Sequence, residues 1–137
     1  MSPKSTHKHP IRVYYEDTDL AGIVYYANYL KFIERGRSEW VREMGIDQAE
    51  MRGTLGIVFA VRRVEADYLK PATFGDDLIV TTALVRQSAA RIVLKQRVIS
   101  EEEVLLSSIV TLVCLKIDGS PTRVPQAFRD AAGEMAK

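Results

Sequence analysis

One long helical stretch, in a chain otherwise dominated by strand patterns, limits the fold more than any other feature. Residues 29–44 repeat apolar side chains at the spacing of one helix face, and Gly45 supplies the expected stop. Gly36 lies at the middle of this stretch, where glycine costs roughly 1 kcal/mol relative to alanine. We expect close approach to another backbone to compensate for that cost. The stretch therefore predicts a helix packed tightly against a sheet.

Strand patterns surround this helix. Ile11 to Glu16 alternates apolar and polar residues, as a half-buried strand does. Four long strand patterns follow, separated by short turns: residues 56–70, 77–86, 90–100 and 104–117. Short connections favour antiparallel neighbours, so the order predicts an α+β domain with one helix on a five-stranded antiparallel sheet. A short helix is expected at 47–50, where Asp47 and Glu50 form a capping box, and residues 125–136 are expected to form a short helix or a frayed tail.

Composition indicates an ordinary globular domain. The 137 residues suit one domain, with 47% hydrophobic and 27% charged residues and a formal net charge of +1. No basic face typical of nucleic-acid binders is visible. Residues 1–10 are polar and are expected to form a flexible tail rather than a signal peptide, and no segment is long enough to insert into a membrane. With a single cysteine as well, we expect a cytoplasmic protein.

The residue types available exclude several kinds of chemistry. His7 and His9 are the only histidines, and both fall in the expected tail. A Ser-His-Asp or Cys-His pair would need a histidine inside the fold, and a zinc site of the Cys/His kind is excluded for the same reason. Cys114 lies in an apolar strand, which favours a buried small hydrophobe over a nucleophile. No metal site is expected.

The sequence "EDTD", residues 16–19, gathers three acids just ahead of the helix. Asp17 or Asp19 could simply cap the helix by accepting hydrogen bonds from its free N–H groups. Three acids exceed what one cap needs, however, and the apolar and aromatic residues of "AGIVYYANY" surround them as a pocket wall would. A carboxylate facing a carbonyl that is held on helix N–H donors can attack it or activate water. Such a site would suit acyl transfer to water.

Residues 14–40 resemble the signature of the 4-hydroxybenzoyl-CoA thioesterase family of hotdog-fold proteins, most closely its YbgC-type members associated with the Tol–Pal system. A weaker match continues through "YLKPATFGDDLIV". The resemblance implies a hotdog fold over residues 11–137, with a curved antiparallel sheet wrapped around one long helix. It implies an acyl-CoA thioester hydrolase that needs no cofactor, because coenzyme A is part of the substrate.

The resemblance also implies roles for particular residues. The second aspartate of the D-x-D pair, Asp19, would be catalytic as nucleophile or general base, with Asp17 as its structural partner. The backbone N–H of Tyr26 would polarise the thioester carbonyl. Gly22 would let the backbone bend close to the substrate, and Val24 and Tyr25 would lie in the binding pocket.

This chain departs from the family at one position of that signature. YbgC-type members usually read "VYHANY", whereas this chain reads "VYYANY", which places Tyr26 where histidine is common. The backbone donor survives this change, but an imidazole contribution to proton transfer does not. The bulk of tyrosine would narrow the acyl pocket and favour short chains. The expected acyl group is short-chain or aromatic.

Cationic side chains are needed to bind the phosphates of coenzyme A. Arg86 and Arg91 flank a turn that also carries Ser88, and Arg62–Arg63 and Lys95 are further candidates. By analogy with other hotdog proteins, Ser88 would approach the site of a neighbouring subunit. An exposed strand edge would support a homo-oligomer. We expect either a dimer or a tetramer assembled from hotdog dimers.

Two other functions remain open from the sequence. A non-catalytic protein that binds acyl thioesters, as a Tol–Pal or lipid-metabolism scaffold, is compatible with the missing histidine. A hotdog dehydratase is less compatible, because such enzymes depend on a histidine within the site.

Overall fold

The computed structural model describes residues 6–137 of the chain. One long helix lies against an antiparallel sheet, as the sequence predicts. The strands are β1 (Thr6–Arg12), β2 (Ile57–Tyr68), β3 (Asp77–Gln87), β4 (Ile92–Ser100), β5 (Glu103–Lys116) and β6 (Pro121–Thr122). The helices are α1 (Asn28–Glu43), α2 (Gln48–Glu50), which a π-helical turn extends to Leu55, and α3 (Gln126–Met135). Within residues 6–137, no helix combines the length and the apolar character needed to cross a bilayer.

The sheet order is β1-β3-β4-β5-β2, with the short β6 added beside β5. The predicted pairings of β3 with β4 and of β4 with β5 are confirmed. The expectation that β2 and β3 are also neighbours is wrong: β2 pairs with β5, and β3 pairs with β1. The connection over residues 69–76 runs from β2, at one edge of the sheet, to β3 near the opposite edge. Strand β3 has no free side for β2, because it pairs with β1 and with β4. The path therefore ends in two edges, β1 and the twelve-residue β2.

Helix α1 buries its apolar face, including Phe32, Ile33 and Trp40, in the core. Gly36 is buried against β3, where an added Cβ would lie 2.4 Å from Cγ1 of Val80. The close approach predicted from Gly36 is therefore present, although the partner is a side chain and not a backbone. Gln96 of β4 adds a hydrogen bond between the sheet and the helix, because its Nε2 donates to the Ile33 carbonyl at 2.9 Å.

The N-terminal boundary differs from the prediction. The first strand begins at Thr6 and not at Ile11, so residues 6–10 pair with β3 and do not belong to a flexible tail. Residues 1–5 of that expected tail lie outside the described residues. His7 is consequently part of the sheet, and its Nε2 lies 2.7 Å from a carboxylate oxygen of Glu43. At the other end of the predicted strand, Tyr15–Asp17 form a 3-10 turn.

Candidate active site

The acidic loop folds back on itself before the chain enters α1. The N–H of Asp19 donates to the Ile23 carbonyl at 2.9 Å, and the N–H of Gly22 donates to the Asp19 carbonyl at 3.0 Å. Gly22 has a φ of +81°, a left-handed conformation that favours glycine. Nearer the base of the loop, the N–H of Tyr25 donates to the Asp17 carbonyl at 2.9 Å. These bonds hold the tip of the loop beside the segment that leads into the helix.

Asp17 is built into the base of this loop. It is only 6% exposed. Its Oδ2 accepts from the Tyr14 N–H at 2.8 Å, and its Oδ1 accepts from the side-chain amide of Asn28 at 2.6 Å. Since Asn28 is the first residue of α1, the Asp17 carboxylate joins the acidic loop to the helix. Both of its oxygens are engaged in this structural role.

Asp19, in contrast, is exposed to solvent. Its Oδ1 accepts from the N–H of Ala21 at 2.9 Å, a short-range contact that fixes the carboxylate on the turn. Within the described part of the chain, Oδ2 has no hydrogen-bond partner. One oxygen of this carboxylate is therefore open to a ligand or a water molecule.

The segment entering α1 contains two backbone N–H groups that bond to no other residue of the described chain. The N–H of Asn28 donates to the Tyr25 carbonyl at 2.8 Å and closes a tight turn. Between these two residues, the N–H groups of Tyr26 and Ala27 donate to no acceptor among residues 6–137. They lie at the end of α1 that carries the positive partial charge of the helix. The turn can therefore bind a developing negative charge.

Tyrosines surround this turn. The ring of Tyr26 is 63% exposed and lies 5.0 Å from the Tyr25 ring and 6.1 Å from the Tyr68 ring. Tyr68, the last residue of β2, also donates from its hydroxyl to the Tyr26 carbonyl at 3.1 Å. Sequence reasoning missed Tyr68, since it is 42 residues from Tyr26 and no local motif signals the contact. The strand pattern over residues 56–70, which ends at the turn beginning with Pro71, indicates only that Tyr68 lies near a strand end.

Two further residues near this loop are predicted to bind substrate, and their side chains differ in exposure. Tyr25 is half-exposed, whereas the side chain of Val24 is only 3% exposed and belongs to the core.

Ser88 closes the turn between β3 and β4, because its Oγ accepts from the N–H groups of Ala90 and Arg91 at 3.1 and 3.3 Å. The Ser88 oxygen therefore acts within its own turn.

Arg86 and Arg91 lie together in a basic cavity of about 470 Å³. Its remaining lining consists of Arg62, Arg63, Glu65, Val93, Ile109 and Thr111. Val93 alternates along β4 with Ile92 and Leu94 of the core, so the cavity lies on the sheet face opposite α1. Among the described residues, one of its four arginines forms an ion pair: Arg63 lies 2.8 Å from Glu65. The cavity is suited to binding an anionic group.

The histidines and the cysteine lie on strands and not on the acidic loop. Both histidines are in β1, and His7 is paired with Glu43 at the far end of α1, about 23 Å along the helix from Asn28. The side chain of Cys114 is 1% exposed, and burial raises the pKa of its thiol to about 11. The prediction that Cys114 is buried is confirmed.

The chain is similar to known proteins over most of its length. A family model described as the thioesterase superfamily matches residues 21–107. The acyl-CoA thioester hydrolase YbgC of Escherichia coli O6:H1 is 36% identical over 87% of this chain and 90% of its own length. A crystal structure of a probable thioesterase from Bartonella henselae superposes with a TM-score of 0.85 at 35% identity, covering 88% of this chain and 99% of that one. A 1,4-dihydroxy-2-naphthoyl-CoA thioesterase from Synechocystis superposes with a TM-score of 0.87 at 21% identity, covering 96% and 98% of the two chains. The predicted hotdog arrangement of helix and sheet is confirmed by these superpositions.

Proposed function

The chain belongs to the thioesterase superfamily as an acyl-CoA thioester hydrolase of the YbgC type, and we propose that Asp19 and the backbone of Tyr26 carry out its chemistry. The thioester carbonyl oxygen accepts a hydrogen bond from the Tyr26 N–H, and the Asp19 carboxylate either attacks the carbonyl carbon or activates a water molecule that does. The products are the free acid and coenzyme A with its thiol restored. No histidine takes part in this scheme.

The observation that supports this assignment best is the contrast between the two aspartates. Both oxygens of Asp17 are engaged with the protein, whereas Asp19 keeps Oδ2 open on the same loop. The neighbouring turn offers the N–H of Tyr26 at the helix terminus, which has no acceptor in the described part of the chain. Donors of this kind stabilise the oxyanion that develops during acyl transfer, and they act most strongly in the transition state.

Two routes use the same carboxylate. In the first, Asp19 takes a proton from water while the water oxygen attacks the carbonyl carbon and the thiolate leaves. In the second, Asp19 itself attacks, the thiolate leaves, and water opens the resulting anhydride. In ¹⁸O-water under single-turnover conditions, the first route labels the product acid. An anhydride opened at the aspartyl carbon instead labels the Asp19 side chain.

The test of the assignment is an Asp19→Asn variant assayed for thiol release from a panel of acyl-CoAs. We expect a loss of at least about a hundredfold in kcat, in the range typical of groups that act in the transition state. The matched control is Asp130→Asn, an exposed aspartate on α3 whose carboxylate accepts from Gln126. Circular dichroism should show both variants folded. Wild-type turnover by Asp19→Asn would overturn the assignment.

We propose that the preferred acyl group is short or aromatic. The rings of Tyr25, Tyr26 and Tyr68 form the aromatic side of the candidate site, and aromatic pairs favour offset or edge-on contacts with a further ring. The Tyr26 side chain also occupies space that a smaller residue would leave to the substrate. In the panel, kcat/KM should be higher for short and aromatic acyl-CoAs than for acyl chains of twelve or more carbons.

We propose that the basic cavity around Arg86 and Arg91 holds phosphates of coenzyme A. Arg63 lies five residues before Tyr68 on β2, a distance of about 16 Å along the strand. The cavity is thus separated from the candidate catalytic turn, as the nucleotide end of an extended coenzyme A is separated from its thioester. Guanidinium groups bind phosphate by paired hydrogen bonds, and three of these four have no carboxylate partner in the described part of the chain.

We propose that two copies of the chain pair through β2. This strand is long, lies at a sheet edge, and exposes 47% of Val61. An unpaired edge of this kind presents a row of backbone donors and acceptors to a second chain. A Val61→Asp substitution should give a monomer in light scattering, whereas Val85→Asp, at an equally exposed position of the inner strand β3, should keep the dimer. A wild-type monomer would overturn the proposal.

A further inference from the structure

A hydrogen bond from Tyr68 joins the end of β2 to the turn that precedes α1. Its hydroxyl donates to the Tyr26 carbonyl at 3.1 Å. The same carbonyl accepts from the N–H of Tyr29, but at a longer distance of 3.4 Å. The hydroxyl of Tyr68 is therefore the closer of two donors that hold this carbonyl in place.

The ring of Tyr68 supports the same segment. It meets the Tyr26 ring edge-on at 6.1 Å and the Tyr29 ring edge-on at 5.6 Å. Tyr29 is in turn anchored in the core, where its hydroxyl accepts from the Ala72 N–H at 3.0 Å. Tyr68 thus connects an exposed aromatic ring of the turn to a buried ring of the helix.

Holding the Tyr26 carbonyl has a consequence for the next N–H. The carbonyl of Tyr26 and the N–H of Ala27 belong to one planar peptide unit, so fixing the carbonyl fixes the direction of that N–H. The preceding peptide unit is fixed as well, because the Tyr25 carbonyl accepts from the Asn28 N–H at 2.8 Å. Two successive peptide units of the turn are therefore held at their carbonyl ends, and their N–H groups have no protein acceptor among residues 6–137.

We propose that Tyr68 is a positioning residue for thioester hydrolysis, whose hydroxyl keeps the turn at Tyr26–Ala27 aligned to receive the carbonyl oxygen of the substrate. The inference rests on the proposed function of this site. Tyr68 itself exchanges no proton with the substrate. Its effect is expected in kcat more than in KM, since an oxyanion donor contributes mainly after charge has developed on the oxygen.

The titration of Tyr68 decides over which pH range the proposed hydrogen bond is present. Burial, and after it the neighbouring Tyr26, raises the pKa of Tyr68 above its usual value. The hydroxyl therefore keeps its proton throughout the range from pH 6 to pH 9 and donates to the Tyr26 carbonyl at every pH of an ordinary assay. The loss caused by removing it should be the same across that range.

The test is a Tyr68→Phe variant, which keeps the ring and removes the hydroxyl. We expect kcat to fall about tenfold, the change that about 1.4 kcal/mol of lost transition-state stabilisation produces, with KM within twofold of wild type. The matched control is Tyr15→Phe, because Tyr15 is exposed and its hydroxyl bonds to nothing in the described part of the chain. That control should keep wild-type kcat and KM.

The outcomes separate this inference from the proposed function. If Asp19→Asn is inactive while Tyr68→Phe has wild-type kcat, the site stands and the role of Tyr68 is overturned. The role is also overturned if Tyr68→Phe lowers only the unfolding free energy, or if its loss in kcat varies between pH 6 and pH 9. If Asp19→Asn is fully active, the proposed catalytic site fails first. A pH-independent fall in kcat alone supports the inference.

Discussion

The side-chain amide of Asn28 donates to Oδ1 of Asp17 at 2.6 Å, and this contact fastens the acidic loop to the first residue of α1. Both side chains are buried. The bond therefore joins the two parts of the candidate site, the loop that carries Asp19 and the turn that carries the Tyr26 N–H. A charge-assisted hydrogen bond away from water is stronger than a neutral one, and losing one partner leaves the other unsatisfied.

An Asn28→Ala substitution should lower the free energy of unfolding by about 2–3 kcal/mol, because among residues 6–137 it leaves the buried Asp17 carboxylate with the Tyr14 N–H as its one remaining donor. Urea denaturation measures this change. The matched control is Gln126→Ala, which removes a similar amide–carboxylate bond, to Asp130, at an exposed position. The control should cost less than about 0.5 kcal/mol. Equal losses in the two variants would show that burial does not strengthen the Asp17–Asn28 bond.

Gly36 leaves no room for a side chain. An alanine there would gain about 1 kcal/mol of helix propensity but would place its Cβ 2.4 Å from Cγ1 of Val80. Because this contact is in the packed core, we expect Gly36→Ala to lower the unfolding free energy by about 1–3 kcal/mol. The matched control is Gly133→Ala on α3, where the nearest atom is Nε2 of Gln87 at 3.6 Å. That variant should be neutral or more stable than wild type.

A double mutant identifies the cause of that loss. If the clash with Val80 is responsible, adding Val80→Ala to Gly36→Ala should cost less than the sum of the two single substitutions. Thermal or urea denaturation of the four proteins in the cycle measures the coupling. Strictly additive losses would mean that Gly36 is required for some reason other than space beside Val80.

The sequence predicted the elements of the fold well and the long-range contacts poorly, for a physical reason. The spacing of apolar residues is a local signal, so α1 and the strands β3 to β5 were placed within one or two residues. Which strands pair is decided by packing between distant segments, and the β2–β3 pairing was wrong for that reason. The prediction of a flexible tail over residues 1–10 rests on their polar character and their two prolines, yet pairing with β3 holds residues 6–10 in the sheet.

The same distinction applies to the candidate site. Asp17, Asp19 and the start of α1 lie within one continuous motif, which the resemblance to a family made recognisable. The contact from Tyr68 comes from another element, and no periodicity predicts it. The burial of Val24 and the use of the Ser88 oxygen within its own turn depend on three-dimensional packing in the same way.

Substitutions in the basic cavity should weaken substrate binding and leave the chemical step unchanged. Arg86→Ala and Arg91→Ala are each expected to raise KM by about fivefold to tenfold with kcat unchanged, as the loss of a charge-assisted hydrogen bond to phosphate predicts. Arg42→Ala is the matched control, an exposed arginine near the C-terminal end of α1. Steady-state kinetics with an acyl-CoA and with its 3′-dephospho analogue measure the effect. If neither variant changes KM for either substrate, the phosphates bind elsewhere.

The buried thiol of Cys114 should make the folded protein less stable in alkali. Its pKa is about 11 in the fold against an unperturbed value of 9.0, so the unfolded chain loses this proton first as the pH rises. Between about pH 9 and pH 11 the folded state binds more protons at this group, and its contribution to the unfolding free energy therefore falls with increasing pH. Below pH 9 that contribution is fully present.

Urea denaturation at pH 8 and pH 10.5 should show a larger decrease in the unfolding free energy for wild type than for Cys114→Val, in which this group is absent while all other titrating groups remain. Equal decreases in the two proteins would show that the thiol ionises as readily in the fold as in the unfolded chain.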